Sequence, residues 1–522
     1  MLALDIGTSS VRAGLYATDG TPVPGAAARV PHQVDYRLDG GVETDADALV
    51  ARVEQAIDQC VAAAGDALPE VAAIGTSCFW HSLLGLDGAL HPCTPLLIWA
   101  DTRSAAMVSV LEGRLDAGAV RARTGCRPHS SYPPAKLLWI RRERPEWWAQ
   151  ARHWVSFGEY LTLRLCGVLA ASVSMASASG LYDQTRGRWD EEVAAAAEVP
   201  LGALPELADL AELPDLRLTR RDRWPGLAAA RVLLPAGDGA CNNVGSGCMD
   251  PEAGLPRTVP GAQGGRPRVE GAHPLPALAA GSGLLALMIG TSGAVRRCSP
   301  GGPWTVAPSL WQYRLDRRRG LVGGALSNGG NLHQWLSATL RLPEGDLDAA
   351  IGAMPPAEHG LVFLPLLAGE RSPGWAPGAT GAIVGLREAT SPLELLRAGL
   401  EAVALRFAAL VADMGGAGQI VGSGGGLFHS PAWAQIVADA VGQDVWRSAE
   451  PEPSSRGAAL LALEAAGILP DAADLPPRLD GVVRADAARH ERYVRAGARQ
   501  RRLYALLAAD AEIGWAPAAG GA

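Results

Sequence analysis

Residues 2–12 read LALDIGTSSVR and decide the fold class, because they predict a β-hairpin that the chain later repeats. An apolar run of strand character meets a Gly-Thr-Ser-Ser turn, and a second strand follows. Residues 285–296 read LALMIGTSGAVR, and seven of the first nine positions are identical at a constant offset of 283. The main difference is chemical, since Asp5 in the first copy becomes Met288 in the second.

Turns of this composition suit an anion, because a glycine lets backbone N–H groups approach closely and Thr and Ser add hydroxyl donors. Two facing turns could hold the phosphates of one nucleotide from both sides. Asp5, present in only one copy, would hold the Mg²⁺ that accompanies a polyphosphate. The alternative is an ordinary hairpin turn, since Ile-Gly-Thr-Ser occurs a third time at 74–77, but the long-range duplication favours phosphate binding. The predicted phosphate-binding residues are Gly7, Thr8, Ser9, Gly290, Thr291 and Ser292.

Composition bounds the class of protein. A chain of 522 residues is too long for one core, so two domains are expected. The net charge of −8 gives no electrostatic case for binding nucleic acid or an anionic membrane. No apolar run is long enough to span a membrane, no signal peptide precedes the first strand, and the eight cysteines form no C-x-x-C pair. These features predict a cytoplasmic protein with reduced thiols.

Lysine is almost absent from the chain. Lys136 is the only one, and it stands outside any glycine-rich loop. A Walker P-loop and a protein-kinase site both need a lysine at the phosphates, so both are excluded.

Strands and helices alternate twice along the chain, which predicts an α/β fold with two domains around a cleft. Thr44 is the predicted N-cap of a first helix, and Ser391 begins a capping box that opens a long helix. Ser454 or Ser455 is expected to begin a helix that runs through Leu463. The predicted divisions are an N-terminal domain at 1–248, a Pro/Gly-rich insertion at 249–283, a C-terminal domain at 284–480, and a terminal helix with a frayed tail at 481–522.

Asp238 is the predicted general base, since it follows a buried strand and its flanking glycines leave it accessible to a substrate hydroxyl. The alternative is a plain turn aspartate. Gly424 and Gly425 lie in a glycine loop between a strand and a helix, which suits close approach to a flat or charged ligand, although such loops are usually only turns.

Aromatic, carboxylate and arginine side chains collect at two strand ends, which suits a polyol. They are Trp80, His81, Asp101 and Arg103. Taken singly, Trp80 is as easily a core residue, and Asp101 with Arg103 a structural pair. His81 has no second ligand at metal-binding spacing.

Taken together, these stretches resemble the FGGY family of carbohydrate kinases, in the actin-like ATPase superfamily. The resemblance covers residues 2 to about 463. It rests on the two hairpins, the Trp80 and Asp101 stretches, Gly237–Gly239, and the segments 124–126, 132–133, 369–375, 422–426 and 454–459. The amino-acid sequence at 79–82, 327–331 and 369–375 is most similar to that of gluconate kinases, and then to that of xylulose kinases.

The resemblance implies two actin-like, ribonuclease H-like domains that close over ATP and sugar. It implies that Asp5 and Asp238 hold Mg²⁺, that Asp238 is the catalytic base, and that both hairpin turns face the phosphates. Gly330, Gln334, Gly424 and Gly425 would border the adenosine, and Trp80, His81, Asp101 and Arg103 would line the sugar site. The implied partners are a sugar or sugar acid and ATP, and a homodimer is possible.

The predicted reaction is phosphorylation of a primary hydroxyl of an open-chain sugar acid or ketose, with D-gluconate first. Xylulose is the alternative substrate, and the gluconate hypothesis requires an arginine such as Arg103 or Arg127 at the carboxylate. An alternative of another class is an actin-like module that binds ATP without phosphorylating sugar. The complete set of acidic and sugar-site residues speaks against that module.

Overall fold

The computed structural model describes residues 1–65, 70–251, 283–376, 378–416 and 418–509. Most of the predicted insertion and the predicted frayed tail therefore lie outside the described residues.

The first half is built on a mixed sheet with strand order β14-β6-β1-β2-β3, and β15 pairs with β6 beyond β14. The predicted hairpin is present: β1 and β2 are antiparallel, with Ile6 opposite Val11 and Asp5 opposite Arg12. The strands of this half are β1 (Leu2–Ile6), β2 (Ser10–Tyr16), β3 (Pro22–Pro31), β4 (Asp35–Tyr36), β5 (Val42–Thr44), β6 (Ala73–Cys78), β7 (Leu84–Leu86), β8 (Leu96–Leu97), β9 (His153–Val155), β10 (Ala170–Ser172), β11 (Tyr182–Asp183), β12 (Arg188–Trp189), β13 (Glu206–Ala208), β14 (Arg231–Val232) and β15 (Ala236–Gly237). Its helices are α1 (Ala46–Ala64), α2 (Ala106–Arg114), α3 (Ala117–Thr124), α4 (Pro133–Glu143), α5 (Pro145–Gln150), α6 (Phe157–Cys166), α7 (Val173–Ser177), α8 (Glu191–Ala196) and α9 (Asp238–Gly245).

The second half repeats the plan in a sheet of order β18-β19-β17-β16-β22-β23-β24. Its hairpin strands β16 and β17 are antiparallel. On its other side β16 pairs in parallel with β22, just as β1 pairs with β6. The strands are β16 (Leu284–Ile289), β17 (Gly293–Pro300), β18 (Trp311–Arg314), β19 (Arg319–Leu326), β20 (Val362–Leu364), β21 (Ala382–Val384), β22 (Gln419–Ser423), β23 (Val445–Ser448) and β24 (Leu479–Val483). The helices are α10 (Gly330–Thr339), α11 (Leu347–Ala353), α12 (Pro392–Asp413), α13 (Gly425–Phe428), α14 (Pro431–Val441), α15 (Pro453–Ala465) and α16 (Ala487–Ala509). Short 3₁₀ turns lie at Leu201–Ala203, Pro225–Leu227 and Ala472–Asp474.

The predicted α/β class and the duplicated two-domain plan are confirmed. Predicted helix starts agree with the structure at Ser391 and lie within two residues of it elsewhere. Ser391 forms the predicted capping box with Glu394 at the start of α12. Two helix starts differ from the prediction by one or two residues. Asp45, not Thr44, caps α1, because its carboxylate accepts a hydrogen bond from the amide of Ala48.

Helix α15 packs on the first sheet, although it lies within the stretch predicted as the C-terminal domain. It begins at Pro453 rather than at a serine, and the hydrophobic core built on β1 and β6 includes its residues 458–463. The approach is very close, since a Cβ placed on Gly75 of β6 would lie 2.0 Å from the carbonyl oxygen of Ala458. A stretch assigned by chain order to one domain therefore completes the core of the other.

Two further expectations concern the surface and the thiols. Within the described ranges, no helix is both long and apolar enough to cross a bilayer. All eight cysteines are unpaired, and seven of them are buried.

Candidate functional site

The site begins at one edge of the first sheet, where the parallel strands β1, β6 and β15 end together. Ile6 pairs with Cys78, and Cys78 also pairs with Gly237, so the three strand ends are neighbours. Ligands of α/β proteins bind outside the carboxyl ends of such strands. The segments that follow these ends are the Gly7–Ser9 turn, the Trp80–His81 pair and the start of α9. The fold thus brings together three groups that are separate in sequence.

The turn of the first hairpin is exposed while its strands are buried. Gly7 and Thr8 are half-buried and Ser9 is exposed, whereas every residue of β1 is buried. The amide of Gly7 donates to the carbonyl of Ser10 at 3.1 Å, and His32 Nε2 lies 2.8 Å from the carbonyl oxygen of Gly7. The turn is therefore held in shape with its hydroxyls accessible.

The turn of the second hairpin has the same exposure but is one residue shorter. Ile289 pairs directly with Gly293, and the amide of Gly290 donates to the carbonyl of Ser292 at 2.9 Å. Thr291 is exposed, while its neighbours on both sides are half-buried. The constant offset between the two copies therefore ends at the turn, and residues beyond it are not equivalent by number.

The predicted adenosine residues lie around the second turn. The amide of Gly330, the first residue of α10, donates to the carbonyl of Gly290 at 2.8 Å, and Gln334 is exposed on the same helix. Gly424 has a φ of 90°, and a Cβ there would lie 2.5 Å from the carbonyl of Ile289, so only glycine fits. Gly425 begins α13 beside it. The end of β16, the start of α10 and the glycine loop thus form one edge of the second sheet.

Asp5 is buried at the end of β1, and both of its oxygens are engaged. One oxygen accepts from the hydroxyl of Ser77 at 2.8 Å, and the other accepts from Arg12 at 3.2 Å. Burial raises the pKa of Asp5, and these two partners oppose that effect. Ser77 belongs to the third Gly-Thr-Ser copy, which lies inside β6 and forms no turn. This third copy therefore stabilises the carboxylate of Asp5 and does not form an anion-binding turn.

Asp238 is the first residue of α9, directly beyond β15. One carboxylate oxygen accepts from the amide of Gly239 at 2.7 Å. Burial raises the pKa of Asp238 to about 6, although the charge of Arg296 opposes the shift. The alternative of a plain turn aspartate does not hold, since the residue opens a helix at the strand edge. A carboxylate with this pKa is suited to accept a proton near neutral pH.

The acidic groups fit a magnesium ion that a nucleotide would bring. Asp5 and Asp238 interact electrostatically across the strand edge, and no cluster of three or more metal-ligating side chains occurs in the described part of the chain. Mg²⁺ usually keeps several waters and takes one or two carboxylates together with substrate phosphates. Two carboxylates beside an accessible hydroxyl-bearing turn match that donor set.

Trp80 and His81 form an aromatic wall beside Asp238. Trp80 is buried, its indole donates to the carbonyl of Ser174 at 3.2 Å, and a Cβ on Gly237 would lie 1.8 Å from its ring. His81 Nδ1 lies 2.7 Å from the carbonyl oxygen of Ala178. Burial lowers the pKa of His81 to about 3, so the ring is neutral and can exchange hydrogen bonds with hydroxyl groups.

Asp101 and Arg103 form an ion pair, which fits the alternative of a structural pair, and contact of either residue with the sugar stays a prediction. Arg103 donates to Asp101 at 2.6 Å and to Glu43 at 2.6 Å, and its guanidinium lies 4.7 Å from the ring centre of Trp139. Asp101 also accepts from the amide of Val42 at 3.0 Å. Carboxylates therefore hold two of the three guanidinium nitrogens of Arg103, Nε and Nη2, in a network that local sequence does not reveal. The reason is tertiary, since Glu43 lies sixty residues away in sequence.

The other arginine considered for a carboxylate, Arg127, lines a small cavity with Val120, His129 and Tyr132. The only lysine, Lys136, is also engaged. Its ammonium donates to the carbonyls of His81, Ile98 and Ser131 at 2.7 to 3.0 Å, and it thus supports the wall from behind.

The fold brings to this wall several residues that were not predicted from the sequence as site residues. The hydroxyls of Tyr132 and Tyr313 lie 2.6 Å apart, and Tyr313 is in ring contact with both Trp80 and His81. Trp375 stacks on Tyr132 with ring centres 6.4 Å apart. Tyr132 and Trp375 lie in stretches that carried the family resemblance, whereas Tyr313 lies in none of them.

The chain matches two family models and is similar to individual proteins over most of its length. The model of the FGGY carbohydrate kinase N-terminal domain matches residues 1–230, and that of the C-terminal domain matches residues 282–466. Gluconokinase of Bacillus subtilis is 27% identical over 491 residues, covering 90% of this chain and 88% of that protein. Xylulose kinase of Escherichia coli is 28% identical over 520 residues, covering 97% and 99%. A gluconate kinase structure from Lactobacillus acidophilus superposes with a TM-score of 0.83 at 24% identity, covering 98% of both chains, and supports the fold.

Proposed function

Because the chain belongs to the FGGY family of carbohydrate kinases, we propose that it transfers the terminal phosphoryl group of ATP to a primary hydroxyl of D-gluconate. The observation that carries this proposal is Asp238, an accessible carboxylate with a raised pKa at the strand edge that it shares with the first turn. Bound Mg²⁺ would neutralise phosphate charge during transfer. The residues that would hold it are Asp5 and Asp238.

The chain's own contribution to such a transfer is mostly positioning. The hydroxyls and amides of the two turns would orient the phosphates, and the aromatic wall would orient the sugar chain. Asp238 would then accept the proton of the attacking hydroxyl. One carboxylate oxygen of Asp238 accepts a hydrogen bond from the Gly239 amide, which leaves the second oxygen for that role.

The substrate is tested by ADP release with D-gluconate, D-xylulose, D-ribulose and glycerol at equal concentrations. We expect the highest kcat/KM with D-gluconate. Xylulose is the second candidate, because the E. coli xylulose kinase matches nearly the full length of this chain. A clear preference for xylulose would reject the gluconate assignment, and ATP binding without sugar-stimulated ADP release would favour the non-catalytic module.

The pKa of Asp238 predicts the acid side of the activity profile. The base works when it is ionised, so kcat/KM should be constant well above pH 6 and fall about tenfold per pH unit below it. The measurement is kcat/KM from pH 4.5 to 8.5 at saturating ATP, with the fold checked by circular dichroism at each pH. An inflection near pH 4 would contradict the assignment, since it would indicate a base with an ordinary carboxylate pKa.

A further inference from the structure

Two arginines of the site have no acidic partner. Arg296 lies on β17 and is only 8% exposed, yet its Nε and Nη1 atoms have no hydrogen-bond acceptor. Arg371 follows β20 in the loop before β21, and its Nε is likewise buried without an acceptor. Neither guanidinium lies within ion-pair distance of a carboxylate among the residues that the structure describes.

Four other buried arginines are paired with carboxylates, and Arg314 donates instead to three backbone carbonyls. Arg319 meets Asp316 and Glu464, and Arg397 meets Glu401. Arg406 and Arg456 also each meet a glutamate. Burying an unpaired charge is costly, so the unsatisfied guanidinium atoms of Arg296 and Arg371 at this site are suited to an anion from outside the chain.

Arg296 lies beside the start of α9. A Cβ on Gly239 would lie 2.8 Å from Arg296 Nε and 2.5 Å from the ring of Trp80, so the guanidinium and the indole flank the residue after Asp238. Burial lowers the pKa of Arg296 to about 10. The charge of Asp238 opposes this effect and that of Arg371 adds to it, and Arg296 is still cationic at neutral pH.

Arg371 lies beside the sugar wall and at the end of β19, where Leu326 pairs with Gly293 of the second hairpin. Its guanidinium lies 4.8 Å from the ring centre of Trp99, and Nη2 donates to the carbonyl of Leu326 at 3.0 Å. Four residues later the same loop places Trp375 on Tyr132. The charge of Arg371 is also felt by Tyr132 and Tyr313, which belong to the wall.

The other cationic candidates of the wall are neutral or engaged. Burial lowers the pKa of His129 to about 3, as it does for His81, so neither imidazole carries a charge. Arg103 is held by two carboxylates, and Lys136 by three carbonyls. Arg127 also lines a cavity with His129 and Tyr132, but Arg296 and Arg371 are the wall's arginines whose buried guanidinium atoms have no acceptor.

We propose that Arg296 and Arg371 together bind the carboxylate of a sugar acid and so select aldonates over neutral polyols and ketoses. This inference rests on the proposed kinase function. Guanidinium groups match a carboxylate through paired, charge-assisted hydrogen bonds. The residues expected from sequence for this role are replaced by two that lie in the second half of the chain.

The test compares D-gluconate with D-gluconamide, which keeps the hydroxyls and replaces the carboxylate by a neutral group. Calorimetry on the full chain with Mg²⁺ and a non-hydrolysable ATP analogue gives the ratio of the two dissociation constants. We expect the wild type to favour gluconate, and Arg296→Gln and Arg371→Gln each to lower that ratio by roughly 10- to 100-fold. Arg296→Lys and Arg371→Lys should recover part of it, since they restore charge without the planar fork.

Arg297→Gln is the matched control. Its side chain points to the opposite face of β17, where Nη2 donates to the carbonyl of Gly416, and the ratio should not change. Melting temperatures verify that each variant is folded. An equal loss of affinity for both ligands would overturn the inference, because the arginines would then act on packing or on phosphate.

The same assay separates the two proposals. If ADP release shows gluconate turnover but neither glutamine variant changes the ratio, the carboxylate site is wrong and the kinase proposal stands. If the wild type binds gluconate no better than gluconamide, the carboxylate is not recognised at all. If gluconate is neither bound nor phosphorylated while a neutral sugar is, the gluconate function itself fails.

Discussion

Asp238→Asn is expected to lower kcat with D-gluconate by roughly 10²- to 10⁴-fold while leaving the affinities for ATP and sugar within a few-fold of wild type. The amide is nearly isosteric and can still accept from the amide of Gly239, so the start of α9 should keep its geometry. It cannot accept the proton of the attacking hydroxyl. The measurements are steady-state ADP release and calorimetric binding of each ligand.

The control for this variant is Asp222→Asn. Asp222 is exposed on the surface of the first domain, so the same change of charge there should leave kcat unaltered. Near-normal turnover in Asp238→Asn would remove Asp238 from the role of base. A loss of sugar affinity as large as the loss of kcat would instead indicate that Asp238 mainly binds substrate.

Gly457→Ala is expected to destabilise the protein by about 3 kcal/mol or more, because helices α9 and α15 touch through their backbones. A Cβ on Gly457 would lie 1.9 Å from the carbonyl oxygen of Cys241, and one on Gly245 would lie 1.7 Å from that of Pro453. Backbone atoms cannot rotate out of the way, so the helices must separate. The fall in melting temperature and in the urea midpoint measures the effect.

The matched control is Gly113→Ala, which lies near the end of α2 with nothing within 4 Å of the added Cβ. Alanine is the better helix former, so this variant should gain up to about 1 kcal/mol. The difference between the two variants isolates the steric cost at Gly457. Since α9 begins at Asp238, separating α9 from α15 should also lower kcat. Equal stability of Gly457→Ala and Gly113→Ala would contradict the close contact of the two helices.

Local signals in the sequence were enough for the hairpins and for most helix ends. Ser391 with Glu394 forms a capping box because its partners are three residues apart, and Gly424 lies in a tight loop because its backbone requires it. Asp238 was placed correctly at the end of a strand, because strand ends carry short-range signals. The effect of burial on its pKa depends on neighbours that no local pattern reveals.

At the predicted sugar site, local sequence patterns do not determine which side chains pair. Asp101 and Arg103 are two residues apart in sequence and have the chemistry of a polyol site, but Glu43 joins them in an ion network that holds Nε and Nη2 of Arg103. Arg296 belongs to the second copy of the repeated hairpin. That its Nε and Nη1 atoms have no hydrogen-bond acceptor is visible only when the elements are packed together. Residues that compete for one charge are separated by tens to hundreds of positions.

The sequence by itself determined the α/β class, the duplicated hairpin plan, the family resemblance and the position of Asp238 at a strand end. These depend on periodicity, turn chemistry and repetition, which are local or can be compared along the chain. Only the tertiary structure decided that α15 completes the first domain's core, that Arg103 is occupied, and that Arg296 and Arg371 are unpaired. Those outcomes depend on which distant side chains meet, and packing in three dimensions alone sets that.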